Sequence, residues 1–232
     1  MKKRINIIFS HFDYPKTLSV NDVVNVFKTL PYNEDIGFGY TDVEINSGIV
    51  YATLIKRNIT TLLEYDLKNK DFIKKEIPVF DEISFGMDFE KLFLYTYGLT
   101  SNHNKIKSAL RNTFEVPFTY TSVDTSPINI MNKIITNVLN YKIEEIVIQR
   151  FTYNDGATGK YTAKITKQSI GEKLLNEYLS DIVKVSISIF EQDEFQLVIS
   201  TNASISIKCN ENDFYSILEN IKNKMDQGVH TC

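Results

Sequence analysis

Residues 126–139 read SPINIMNKIITNVL and residues 169–175 read SIGEKLL. Each stretch opens on a serine able to cap a helix. The first has Pro127 at the opening helical position, and the second has Glu172 three residues on, as a capping box requires. Ser169 stands 43 positions after Ser126. Strand-like runs follow each helix, 144–153 with 159–167 and then 183–190 with 195–201. In 183–190, Val183, Val185, Ile187 and Ile189 alternate with Lys184, Ser186 and Ser188, the period-2 mark of a half-covered strand. Helix–strand–strand therefore occurs twice between Ser126 and Lys208, and links this short require antiparallel pairing.

The helix after Ser126 is apolar round most of its circumference (Ile128, Ile130, Met131, Ile134, Ile135, Val138, Leu139). It should lie covered at the centre, or dock a partner subunit. The helix after Ser169 is one-sided, with Ile170, Leu174, Tyr178 and Ile182. Ile205 and Ile207 continue the last strand, and Asn210 caps a final helix striped by Phe214, Ile217, Leu218, Ile221 and Met225. The tail beyond Asp226 is expected to fray.

Outward toward the N-terminus, 4–12 is a strand ending at Tyr14–Pro15. Ser19 caps a helix bearing Val20, Val23, Val24, Phe27 and Leu30. After Gly37 and Gly39 the period changes from 3.6 to 2, with strands over 40–46, 49–57, 59–67, 72–79, 82–88 and 92–97. Along 59–67, Ile59, Thr61, Leu63, Tyr65 and Leu67 face one way. A helix follows at 103–113, and 115–126, with Pro117 and Asp124, suits a boundary. The fold class is α+β. A β-rich antiparallel meander spans 1–120, and an α+β half with repeated helix–strand–strand spans 121–232, either as two subdomains or fused into one compact domain. Helices pack on one face of the sheets.

With 43% apolar residues, 24% charged and a net charge of −3, the chain suits a packed core and has no strong charge bias toward nucleic acid or anionic membrane. Arg4, Arg57, Arg111 and Arg150 are the only arginines, so planar fork donors are scarce. The abundance of Lys, Asn and Ile suggests an AT-rich bacterial or phage genome. Cys209 and Cys232 do not make a disulfide framework, the apolar run Ile5–Phe9 is too short for a signal core, and no window is long enough to span a membrane. These features predict a cytosolic protein that needs no cofactor.

Five groups of residues carry possible chemistry. Gly156 and Gly159, flanked by Arg150, Lys160 and Lys164, could hold a phosphate, but phosphate-cradling loops open onto helices and this one joins two strands. Lys160, Thr162, Lys164 and Thr166 form a basic stripe beside Tyr161 and Tyr153. With Arg150 and Lys167 they could track phosphates and stack bases, or simply be a solvated or protected edge. Lys56, Arg57, Lys74 and Lys75 could extend that patch. His11 and Asp13 at a strand end could bind a metal, with only His103 and His230 as further histidines. Asp81, Glu82, Asp88 and Glu90 gather at one hairpin, as a Mg²⁺-dependent nuclease would need, or flank a turn as acidic residues commonly do. No serine has a nucleophile-elbow sequence around it.

A well-patterned fold without concentrated reactive residues points to a non-enzymatic interaction protein, an assembly subunit or a homodimer. Its partner is then protein or a second copy, with no membrane contact. The alternatives are nucleic-acid binding through the Lys/Tyr surface and metal-dependent hydrolysis.

Overall fold

The computed structural model describes residues 2–115, 118–153, 156–191 and 194–226. Pro117, the turn residues Asn154 and Asp155, the centre of the acidic turn after Glu191, His230 and Cys232 lie outside the described residues. One antiparallel sheet runs in the order β2-β3-β4-β5-β1-β11-β10-β9-β7-β8, and short β6 pairs with β1. The strands are β1 (Lys2–Asp13), β2 (Phe38–Asn46), β3 (Ile49–Asp66), β4 (Asp71–Asp88), β5 (Phe93–Tyr97), β6 (Thr119–Thr121), β7 (Tyr141–Tyr153), β8 (Ala157–Lys164), β9 (Ile182–Phe190), β10 (Glu194–Ser200) and β11 (Ser204–Asn210). The helices are α1 (Val20–Thr29), α2 (Thr100–Thr113), α3 (Pro127–Ile135), α4 (Gln168–Glu177) and α5 (Phe214–Asp226). Among the described residues no helix is long and apolar enough to cross a membrane.

The α+β class and its antiparallel meander hold. Each half of the sheet is covered by helices on one face, and the two halves use opposite faces. Val50, Ala52 and Leu54 of β3 pack with Ile83, Phe85 and Met87 of β4 against α1 and α2. Val185, Ile187 and Ile189 of β9 and Ile205 and Ile207 of β11 pack against α3 and α5 on the other side. Strand alternation makes this possible, because Phe9 enters one core and Phe12 the other. The serines and lysines of β9 therefore lie on the side of this half of the sheet that α3 and α5 leave uncovered.

Capping follows the sequence at α1, where Ser19 and Asp22 form a reciprocal box, and at α3, where Asn129 N–H donates to Ser126 Oγ. Three expectations change. Helix α3 stops at Ile135, because Asn137 takes φ 65°. Leu139 is left 91% exposed instead of buried. Ser169 does not cap α4, which begins one residue earlier after Lys167. Gln168 sets that start, accepting the Ile143 N–H while donating to Glu172. Ile205 and Ile207 do not extend β10. The chain reverses at Asn202 and Ala203, both at positive φ, and returns as β11.

The largest change is in the meander. The four expected strands between 49 and 88 are two strands of 18 residues each, in unbroken register from Ile49 opposite Asp88 to Asp66 opposite Asp71.

Candidate interaction surface

Only the lower part of the β3–β4 hairpin belongs to the body of the sheet. β2 pairs with β3 no further than Lys56, and β5 pairs with β4 only from Phe85. Beyond those points the hairpin continues alone as a two-stranded arm, about 30 Å long at 3.3 Å per residue.

Both faces of its root are anchored. On the face of α2, Asp81 accepts from Lys105 and from Asn58 Nδ2, each at 2.7 Å. The Lys105 ammonium, in first place, and the Asn58 amide outweigh burial and hold the Asp81 carboxyl below the usual range. On the other face the Phe80 ring meets Tyr32 edge-on at 6.1 Å. At the tip Asp66 accepts from Lys68 N–H at 2.8 Å and from Asn69 at 2.6 Å, which tightens the turn.

Between root and tip the arm is apolar and bare. Ile59, Leu63 and Phe72 are 64%, 66% and 63% exposed, and with Tyr65, Pro78 and Phe80 they share one face. Leu62, Ile73 and Val79 are exposed on the other. Tyr65 and Phe72 touch ring to ring at 5.2 Å. Globular surfaces seldom concentrate so many large apolar groups in one place, and a free two-stranded ribbon is only marginally stable in water.

The residues named from sequence are mostly committed elsewhere. Lys160, Thr162 and Lys164 do share a face of β8. Tyr161 points to the other face and stacks on Phe151 at 4.6 Å, so it does not interleave with the lysines. Arg150 pairs with Asp181 at 2.6 Å, and Lys167 sits exposed before α4. Gly159 lies within β8 opposite Phe151, not in a phosphate-cradling turn. Lys56 pairs with Asp81 on the face opposite that of Arg57, while Lys74 and Lys75 lie along the arm, away from β8.

The acidic group does not converge. Asp81 and Asp88, seven residues apart on one strand, lie on opposite faces. Asp88 is buried against cations: Lys222 at 3.0 Å and Lys91 at 3.6 Å. Burial alone would push its carboxyl up. The Lys91 N–H, the Lys222 hydrogen bond and both lysine charges outweigh it and hold the carboxyl low. His11 stacks on Phe93 at 4.6 Å, and Asp13 accepts the neighbouring Tyr14 N–H. Among the described residues no three His, Cys, Asp or Glu side chains gather as a metal would require.

Two buried polar clusters were not anticipated. Lys222 of α5 is fully buried, bonded to Asp88 and to Glu219 at 2.5 Å, with its ammonium 5.1 Å from the Tyr95 ring centre. Its partner Glu219 also lines a cavity of about 600 Å³, with Glu44, Glu90, Lys91 and Tyr215. Carboxylates and an aromatic face engage the ammonium, which suits a structural cation. The second is His103, whose Nε2 and Nδ1 lie 2.8 Å from Ser10 Oγ and Thr96 Oγ1. The order serine–histidine–hydroxyl resembles a nucleophile with its base, but Ser10 and His103 are each only 2% exposed. A substrate would have no access.

No family model matches this sequence, and none of the curated proteins matches it.

Proposed function

We infer that this chain is a non-enzymatic interaction protein that docks through the β3–β4 arm. The observation that carries the inference is the uncovered apolar face of that arm, built on a doubly anchored root. Burying such a face yields roughly 25 cal/mol per Å² of apolar surface, while a rigid root keeps the ordering cost of binding low.

The test shortens the arm without touching the sheet. Arg57 donates its N–H toward β2, so even-numbered residues of β3 bond to β4. Thr60 and Ile77 are then a hydrogen-bonded pair that an Asn-Gly turn can close. The variant lacking 61–76, with Asn-Gly in their place, should keep its far-ultraviolet dichroism and melt within a few degrees of the parent. It should also lose the parent's association in light scattering and copurification. Association undiminished in the shortened protein refutes the inference.

Nucleic-acid binding is the alternative, favoured by one observation. Lys164 shares a concavity of about 670 Å³ with Arg4, Lys142 and Lys184 on the side of its half of the sheet opposite α3 and α5. Glu144 and Glu145 offset two of these cations, at 2.9 and 2.8 Å. On this alternative, Lys160→Glu with Lys164→Glu weakens binding of a single-stranded oligonucleotide at least tenfold at low salt. Fluorescence anisotropy that does not change on charge reversal eliminates the surface.

A further inference from the structure

An antiparallel sheet that ends in solvent must protect its open edges from pairing with other chains. Three long edges here are protected. The outer edge of β2 carries an irregularity between Thr41 and Glu44, with Asp42 at φ 51°. The outer edge of β8 carries Lys160, Lys164 and Gly159. The free part of β4 carries Lys74, Lys75 and Pro78. Pro78 lies opposite Ile59, a pair whose backbone groups point away from each other, so the proline removes an outward donor from that edge.

Most of the free edge of β3 has none of these devices, its charges, Glu64 paired with Lys75 at 3.3 Å and Asp66, lying toward the tip. From 58 to 63 it reads Asn-Ile-Thr-Thr-Leu-Leu, with no charge, no proline, no glycine and no break in register. It runs from Asn58, next to the Arg57 N–H that Gly37 accepts at 2.7 Å, to Asp66 at the turn. Its outward donors and acceptors belong to the odd-numbered residues 59, 61, 63 and 65.

We propose that this edge pairs with the same edge of a second copy, antiparallel about a twofold axis at Leu62. That register uses the whole free edge and keeps each residue's face. Asn58 meets Asp66 of the other copy, Ile59 meets Tyr65, Thr60 meets Glu64, Thr61 meets Leu63, and Leu62 meets itself. An amide faces a carboxylate, apolar side chains face apolar ones at Ile59–Tyr65 and Leu62–Leu62, and no like charges are opposed; such cross-strand pairs are what fix a register. The odd-numbered pairs are the hydrogen-bonded ones, in agreement with the outward direction of the Arg57 N–H. Across the resulting four-stranded ribbon Pro78, Ile59, and the second copy's Tyr65 and Phe72 would form one apolar row. The partner follows from self-complementarity: the edge is an acceptable neighbour for itself. The pairing rests on the docking role of the arm.

Leu62 on the twofold sits in a non-hydrogen-bonded pair, where Cα atoms approach to about 4.5 Å, within disulfide range. In a Cys232→Ser background, Leu62→Cys should give a disulfide-linked dimer under mild oxidation, while Leu67→Cys, five residues off the axis, should not. Thr61→Pro removes an outward donor without touching the β3–β4 ladder, and should leave a folded monomer in light scattering. A parent chain that stays monomeric at every concentration, or a dimer untouched by Thr61→Pro, overturns the proposal. If the parent is monomeric while the intact arm still retains another protein that the shortened arm releases, the second copy is wrong and the docking role stands. If the shortened chain keeps every association, both fail.

Discussion

Replacing Lys222 with methionine should destabilise the fold by about 3–5 kcal/mol, the cost of stripping a buried ion pair of one partner. Lys222 is fully buried and bonds Asp88 at 3.0 Å and Glu219 at 2.5 Å. Methionine matches the stem of the lysine but leaves the Asp88 carboxylate under α5 with only Lys91, at 3.6 Å, to balance it. Glu219 is half exposed and can turn to water, so the loss centres on Asp88. For a chain of this length the melting temperature should fall by about 10 °C. The double variant Lys222→Met/Asp88→Asn removes the stranded charge and should recover more than half of the loss, because an apolar or neutral replacement of both partners is often close to neutral. Urea unfolding of the two variants decides the matter. Equal stability of Lys222→Met and the parent would mean that Asp88 is already solvated, against its burial.

The same residue shows what a sequence discloses and what it withholds. The stripe Phe214, Ile217, Leu218, Ile221, Met225 fixes the covered face of α5, and Lys222 lies four residues after Leu218 on that face. Spacing was therefore enough to set a lysine on the buried face, though the stripe was read without it, and only the register of Asp88 against Ile49 shows what it meets there. Parity was equally legible for the basic stripe. Residues 160 and 164 share a face and 161 takes the other, so Tyr161 could never stack between the lysines.

The arm was half legible. Alternation correctly put Ile59, Leu63 and Tyr65 on one face. Periodicity reports that a strand has two faces, and nothing about what covers either. Asn58 fell between two expected strands and Pro78 at the end of another, yet Asn58 is held by Asp81 and Pro78 turns its missing donor to the open edge. Two interruptions in sequence became two continuous strands for those reasons. The sheet order, with β1 between β5 and β11, depends on contacts far apart in the chain, which local pattern does not encode.

Acid should unfold this protein from the His103 side first. His103, on the covered face of α2, is buried between Ser10 and Thr96, and loss of solvation, reinforced by the charge of Lys107, lowers its pKa from 6.5 to about 3. In the folded state the ring is neutral, giving a proton to one hydroxyl and accepting from the other. In the unfolded chain it titrates near its ordinary value. Between those two values the unfolded chain binds one more proton, so stability is complete above about pH 6.5 and falls by about 1.4 kcal/mol for each unit below it. By pH 4 the loss is about 3 kcal/mol, a large share of a typical total of 5–15 kcal/mol. His11, lowered chiefly by burial against Phe93, adds a smaller slope of the same sign. Asp81 and Asp88, both held low, keep their contributions until the pH drops below the ordinary carboxylate range, so the window between 6.5 and 4 belongs to the histidines. Urea midpoints measured at pH 7, 6 and 5 should decline steadily for the parent. His103→Gln, which keeps one donor and one acceptor for the two hydroxyls but cannot titrate, should be less stable at pH 7 and nearly flat over the same range. A parent midpoint that does not move between pH 7 and 5 would require a hydrated ring, and so a path for water to Ser10 that the packing of α2 on β5 closes.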